Sequence, residues 1–546
     1  MSIISRNRIV LILILALVIR LAVAWQPVET LIPKILLDDA FLGYSIARNI
    51  AIGNGITYNG IDKTNGMQPL WIFLITPVYW ITSDIYLAVN IILSIIAVID
   101  TLVVLMIYKL AKRYFGETIA LLSALLWAVN PIIIFQTMNG IETSMYILMI
   151  LATLFYYDRI KDRINFKNLS VLGILVGLTV LSRGDGIFLA LILYVHIWWL
   201  NKSANGNHVF FFPIIPILIV FPWLAFSYST FGTLTPSSFL ANFYAAHGLI
   251  PFYDLTAPTT FSEILARIGE ATLRTFGALA HQMGVIDLTS ITLGTALIIP
   301  FIILTIYAFI KNFRKMLIPI IFSILVLIFY AGIFWMINIR YLTPVMPFVI
   351  ILEAVGIIQG FGKIKMFESK RSSSLTAFGL AMIFLFGTLL YNGSVQWNKG
   401  YIPWDYQIYQ DALWVKENTP QDAIIASFAG GNILYFSNRT VLVADGVVDF
   451  NAIGHILNKD VYAYWKSRNV SYWVEQSYNN QTFIDLRQNM QFDINIDNQW
   501  YNVFGIENES YYDRTQKLEL IKNRCSVYSH MRGFNMLICF FTMRVN

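Results

Sequence analysis

The sequence predicts a mainly α, polytopic membrane protein of about eleven transmembrane helices, followed by a smaller α/β domain. Three observations predict it. The 546 residues are 57% hydrophobic and only 13% charged, whereas a soluble chain carries about a quarter charged residues. Apolar stretches long enough to cross a bilayer recur with few or no charges. After residue 392 the pattern changes to short apolar runs among many Asn and Asp, with no further span.

The spans fall near 9–26, 85–108, 117–136, 142–157, 169–182, 185–200, 209–229, 290–310, 316–336, 342–360 and 375–391. The first has a basic flank, Arg6 and Arg8, but no small-residue cleavage site follows, so it reads as a retained span and not a signal peptide. Cytoplasmic loops collect Lys and Arg. With the N-terminus inside, seventeen Lys and Arg fall in the inner loops and seven in the outer connections before residue 392. That parity puts a first loop (27–84), a long loop (230–289) and the tail (392–546) outside. The membrane domain is then 1–391. The net charge of +6 is spread over short loops, which excludes a nucleic-acid partner.

The stretch MQPLWIFLITPVYWI (67–81) is too short to span and has Pro near both ends. Counting it as a span would reverse every later loop. Residues 38–82 therefore predict an external loop with two helices lying along the membrane. In DDAFLGYSIARNIA (38–51), Phe41, Ile46 and Ile50 share a face away from Arg48 and Asn49, as an interfacial helix requires. GNG (53–55) ends it, because Gly accepts the left-handed cap.

The same parity brings polar groups to the outer face. Asp38 and Asp39 follow the first span, Glu142 opens the fourth, and Arg183 and Asp185 join the fifth to the sixth. His247 and His281 lie in the long loop, and Arg340 opens the tenth span. Charges often only mark where helices leave the bilayer. A carboxylate doublet is a poor anchor, since like charges repel, and suits a base or a cation site better. Arg20 and Asp100 lie inside spans, where charges usually face the bundle interior. Their estimated depths differ, so they are not paired with each other. Arg20 has two open readings, a ligand phosphate or a partner within the bundle. Glu353 reads as structural, and His196 and His208 fall on the cytoplasmic side.

In the tail, AIIASFAGGNILYFSNRTVLVADG (423–446) reads as strand, Gly turn, helix, strand. Cys525 and Cys539 both lie there, as a disulfide or as two buried thiols. The aromatics Trp465, Tyr472, Trp473, Trp500, Tyr501, Tyr511 and Tyr512 are core or a stacking platform for glycans.

The fragments DDAF, ARN, GNG and NGMQPLW resemble the first external loop of the GT-C superfamily of polytopic glycosyltransferases, in particular its arabinofuranosyltransferase-like and related prokaryotic branch. NGIET (139–143), SRGDG (182–186), YSTFGTLTPSS (228–238), RYLTPVMP (340–347) and NILYFSNRTVLVADGVV (432–448) follow in order, so the resemblance runs from about residue 10 to 450. It implies a GT-C-like bundle in a prokaryotic plasma membrane. It also implies transfer of a sugar from a polyprenyl-phosphate donor to a glycan, lipid or protein acceptor on the extracytoplasmic face. No P-loop or dinucleotide fingerprint stands against a lipid-linked donor.

By that resemblance Asp38 or Asp39 is the general base, and the sequence does not separate them. Glu142 is the next acid, orienting the acceptor or helping to hold a metal. A divalent cation between Asp39 and Glu142 stays open, with no ligand spacing to support it. A lipid-phosphate leaving group calls for a fixed cation, and an Arg fork holds two phosphate oxygens. Arg340 is the first candidate, with Tyr341 beside it; Arg183 is the second, and Lys63 a third. Gln68 would bond sugar hydroxyls or cap the second interfacial helix. A transporter or lipid flippase is the rival class, but the chain has no internal repeat and its charges cluster at one face, not midway. A non-enzymatic polysaccharide-binding protein is a second rival.

Overall fold

The computed structural model describes residues 3–200, 208–246, 262–263, 266, 269, 293–334, 339–361, 371–400, 405–428, 430–458, 460–477, 511–512, 518–529 and 535–545. They are mostly helical. Five described helices are long and apolar enough to cross a membrane: Asn7–Ala24, Ile85–Phe115, Ile214–Phe231, Pro300–Gly332 and Ile339–Gly360. The fourth contains a 3-10 turn, Phe313–Met316, carrying Arg314 and Lys315. Those two cations mark a break between helices Leu293–Asn312 and Leu317–Phe329, since a charge at mid-membrane is costly.

The span expected at 117–136 is not one straight helix. It is two, Glu117–Val129 and Pro131–Thr137, bent by 67°. Pro131 lacks the N–H that a continuing helix needs. Asn130 instead caps the second helix, its side chain accepting from Ile132 N and Ile133 N.

The chain divides into two compact units. The first joins Met1–Pro27, Val89–Trp223 and Leu265–Gly400; the second joins Val28–Ala88, Leu224–Ile264 and Tyr401–Asn546. The first unit is a helical bundle. Its buried charges correct one expectation: Arg20 and Asp100 do form an ion pair, both fully buried. Arg20 also donates to Ala16 O (3.2 Å) and Ala128 O (2.9 Å). Depth counted along each helix axis missed the pair, because a guanidinium on a long stem reaches well beyond its own Cα.

In the second unit, the first-loop helices are Asp38–Ala51, Pro69–Ile75 and Val78–Ile81. Phe41 and Ile46 are buried. Gly53 follows the first helix at φ +90°, a conformation that costs Gly nothing. The tail gives β1 (Ile424–Ser427), helix Gly431–Phe436 and β2 (Thr440–Val443), then β3 (Tyr472–Ser477), β4 (Tyr511–Tyr512), β5 (Leu518–Ser529) and β6 (Asn535–Val545). The sheet order is β2-β1-β3-β6-β5-β4. β1 runs parallel to β2 and β3, while β6 runs antiparallel to β3 and β5. Cys525 and Cys539 are register partners on β5 and β6. Trp465 and Trp473 are fully buried, ring centroids 5.4 Å apart. They are core, which removes both from the glycan-stacking reading. Trp500 and Tyr501 lie outside the described residues.

The first loop and the tail are stitched together within this unit. Asp449, buried, accepts from Tyr58 Oη (3.1 Å) and Tyr464 Oη (2.8 Å). Asp62 pairs with Arg468 at 2.7 Å. Asn59 Nδ2 donates to Val441 O at 3.2 Å.

Candidate active site

In the second unit, Asp38 and Asp39 open helix Asp38–Ala51 and are half-buried. Their environments differ. The Asp38 carboxylate accepts three hydrogen bonds from the tail: Gly431 N to Oδ2 (2.8 Å), Asn432 N to Oδ1 (2.7 Å) and Asn432 Nδ2 to Oδ1 (2.8 Å). The approach requires Gly at 431, since a Cβ there would lie 2.1 Å from Asp38 O. Asp38 is thus fixed in orientation, with most of its lone pairs engaged. Asp39 is the next residue on the helix, and none of those three donors goes to it.

A third carboxylate, Asp405, stands at the start of helix Asp405–Asn418. It is 3% exposed, and its Oδ2 makes no hydrogen bond among the described residues. Burial, then repulsion from Asp38 and Asp39, pushes Asp405 well above the usual carboxylate range. Burial, with a smaller contribution from Asp39, also raises Asp38 against its hydrogen bonds. A carboxyl raised in the folded state holds a proton that the unfolded chain releases. Its contribution is complete below the unfolded value and is lost as pH rises toward the folded one. Asp405→Asn should therefore raise the melting temperature at about pH 7.5 and leave it nearly unchanged at about pH 3, read from thermal unfolding in detergent. A gain of equal size at both pH values would contradict the assignment.

The first unit holds the second cluster. Glu142, buried, is the N-cap residue of helix Thr143–Ile160. Its turn is held by Asn139, whose Nδ2 donates to Thr143 Oγ1 (3.3 Å) and whose Oδ1 accepts from Ile141 N (3.3 Å). Ser144 Oγ donates to Thr137 O at 2.9 Å and approaches Asp100 Oδ1 at 3.5 Å. The Arg20–Asp100 pair therefore braces the turn that carries Glu142.

Arg183 caps helix Phe166–Ser182 and leads into the 3-10 turn Gly184–Gly186. Its guanidinium lies among three tyrosine rings, 4.9 Å from Tyr341 and 5.6 Å from both Tyr146 and Tyr330, the geometry of cation–π attraction. Nη2 donates to Tyr330 Oη at 2.8 Å, and Tyr330 Oη donates to Asp185 Oδ2 at 3.0 Å. Glu142 acts electrostatically on the same guanidinium. Arg340 approaches the Tyr341 ring at 5.1 Å and donates from Nη2 to Tyr341 Oη at 3.2 Å. Tyr341 stacks on Tyr330, centroids 4.6 Å apart and planes 6° from parallel.

Three sequence-predicted residues, Arg183, Arg340 and Tyr341, thus meet in one cluster, and Glu142 acts on it electrostatically. Tyr146 and Tyr330 belong to it and carried no sequence signal, being aromatics in apolar spans. Arg20 takes the second of its two readings, a partner within the bundle: it is buried, paired with Asp100 and bonded to the carbonyls of Ala16, Trp127 and Ala128. Gln68 occupies the N-cap position of helix Pro69–Ile75, but its side chain makes no capping bond. Lys63 is exposed, on a bridge with Thr57. His247 and His281 lie outside the described residues. Among the described residues no three His, Cys, Asp or Glu are grouped to hold a metal ion.

A bundle of apolar helices, a first loop opened by two acids and a mixed α/β tail together make up a fold that solved structures share. The chain is similar over 94% of its length to the archaeal oligosaccharyltransferase AglB from Archaeoglobus fulgidus, solved with an inhibitory peptide and a dolichol-phosphate (TM-score 0.59, 15% identity, 74% of that chain). It is similar over 98% of its length to ArnT from Cupriavidus metallidurans in the apo state (TM-score 0.57, 12% identity, 98% of that chain). The same ArnT bound to undecaprenyl phosphate matches with a TM-score of 0.53 at 13% identity, covering 97% of each chain. Residues 67–226 match the family model described as dolichyl-phosphate-mannose-protein mannosyltransferase. No curated protein sequence matches the chain.

Proposed function

We propose that the protein is a membrane glycosyltransferase that moves a sugar from a polyprenyl-phosphate donor to an acceptor hydroxyl at the extracytoplasmic face of a prokaryotic plasma membrane. The acceptor is a glycan, a lipid or a protein. The observation that carries this reading is Arg183, 5% exposed in a chain of GT-C fold. Its Nε faces Asp185 Oδ1 at 3.4 Å and its Nη2 bonds Tyr330. A guanidinium presents five N–H donors in a fixed fork, and a phosphate oxygen is a strong acceptor for them.

The roles follow from the two clusters. Asp39 takes the proton from the acceptor hydroxyl. The acceptor oxygen bonds to the anomeric carbon, and the bond from that carbon to the phosphate oxygen breaks. Polyprenyl phosphate leaves, and a single displacement inverts the anomeric centre. Arg183 and Arg340 stabilise charge as it develops on the leaving phosphate. Asp38 holds the start of the Asp39 helix against the tail. Glu142 orients the acceptor.

The test is a panel of radiolabelled polyprenyl-phosphate sugars supplied to membranes containing the protein. The reading expects one donor to be consumed, with label on an acceptor in the inverted configuration. If no donor is consumed while the protein is folded in the membrane, the reading fails and the flippase class takes its place.

A further inference from the structure

We infer that Tyr330 is a positioning residue that keeps Asp185 from occupying the donor edge of Arg183, and so keeps that edge available to an anionic ligand. The inference rests on the reading that Arg183 meets the donor phosphate.

Arg183 and Asp185 are two residues apart and both buried, at 5% and 7% exposure. Left alone, such a pair closes into a bidentate fork, with two parallel N–H···O bonds near 2.8 Å. Here the fork is open. Asp185 Oδ1 stands 3.4 Å from Arg183 Nε, beyond a normal hydrogen bond, and has no hydrogen-bond partner within ordinary distance among the described residues. Asp185 Oδ2 accepts from the hydroxyl of Tyr330, and the Tyr330 oxygen in turn accepts from Arg183 Nη2. The phenol oxygen is a wedge where the second arm of the fork would be. It keeps the carboxylate near enough to balance a buried cation, without consuming the whole donor edge.

The wedge is itself held in place. Tyr330 opens the π-helical turn Tyr330–Phe334 at the end of helix Leu317–Phe329. Such turns are rare, occur often at functional sites and re-aim the side chains they carry. Its ring lies flat on Tyr341, the ring that both Arg183 and Arg340 approach. One residue thus spaces the acid from the first arginine and orders the platform shared with the second.

Tyr330→Phe keeps the ring and removes only the wedge. Donor KM should rise about tenfold with kcat within about threefold, because a hydrogen bond to a charged group is lost and Asp185 closes on Arg183. Adding Asp185→Asn should restore donor KM to within about threefold of wild type, since the competing carboxylate is gone. Two results would overturn the inference. In one, Tyr330→Phe leaves donor KM unchanged while Arg183→Ala raises it. In the other, Tyr330→Phe raises KM and Asp185→Asn fails to restore it. If Arg183→Ala itself leaves donor KM unchanged, the phosphate reading of Arg183 falls first, and the inference with it. Melting temperatures of all four proteins distinguish these outcomes from misfolding.

Discussion

Asp39→Asn should lower the rate of sugar transfer by about 10²- to 10⁴-fold, the range a general base supplies, with donor KM and melting temperature little changed. The substitution keeps the shape of the side chain and removes its basicity. Asp38→Asn should behave differently. Two of its three bonds come from backbone N–H groups and one from the Asn432 amide, and an Asn oxygen cannot serve every donor. The variant should therefore lose stability as well as rate, and its rate loss should be smaller than that of Asp39→Asn. Rate assays and thermal unfolding of the two variants together make this check. Equal rate losses with unchanged stability would return the two acids to the same standing.

Arg20→Ala should cost about 3–5 kcal/mol of stability, because it leaves Asp100 buried without its cation. Asp100 has other neighbours, Trp127 Nε1 at 3.3 Å and Ser144 Oγ at 3.5 Å, but both are neutral. The effect should reach activity, since Ser144 joins this pair to the turn that presents Glu142. Replacing both charges, as Arg20→Met with Asp100→Leu, should recover much of the stability, in line with buried ion pairs exchanged for apolar packing. Unfolding in detergent measures both. A loss below about 1 kcal/mol for Arg20→Ala, the size of an exposed pair, would contradict the buried geometry.

The sequence carried the local structure well and the tertiary site unevenly. The first-loop helix and its Gly stop were legible because a helical face and a left-handed cap are properties of adjacent residues. The strand, helix and strand at 424–443 were legible for the same reason. The bend at Pro131 was available in principle, since Asn-Pro is both a cap and a helix break, but a continuous apolar run outweighed it. The choice between Asp38 and Asp39 was not available. It depends on donors from Gly431 and Asn432, 393 and 394 positions away. Asp405 was hidden likewise: its meaning lies in what it is buried beside. Tyr330 looked like one more aromatic near the end of a span, and only its hydroxyl, set between Arg183 and Asp185, distinguishes it. Arg20 and Asp100 were each noticed and then kept apart by a one-dimensional estimate of depth.

The central claim is that this chain breaks the bond between a sugar and a polyprenyl phosphate with an acid of its first external loop. The most direct measurement is the release of polyprenyl phosphate from the labelled sugar donor, followed over one turnover in wild-type and Asp39→Asn membranes matched for protein. The account predicts release in the wild type together with transfer of the label, and loss of both in the variant. Release at the same rate in both, or in neither, would contradict it.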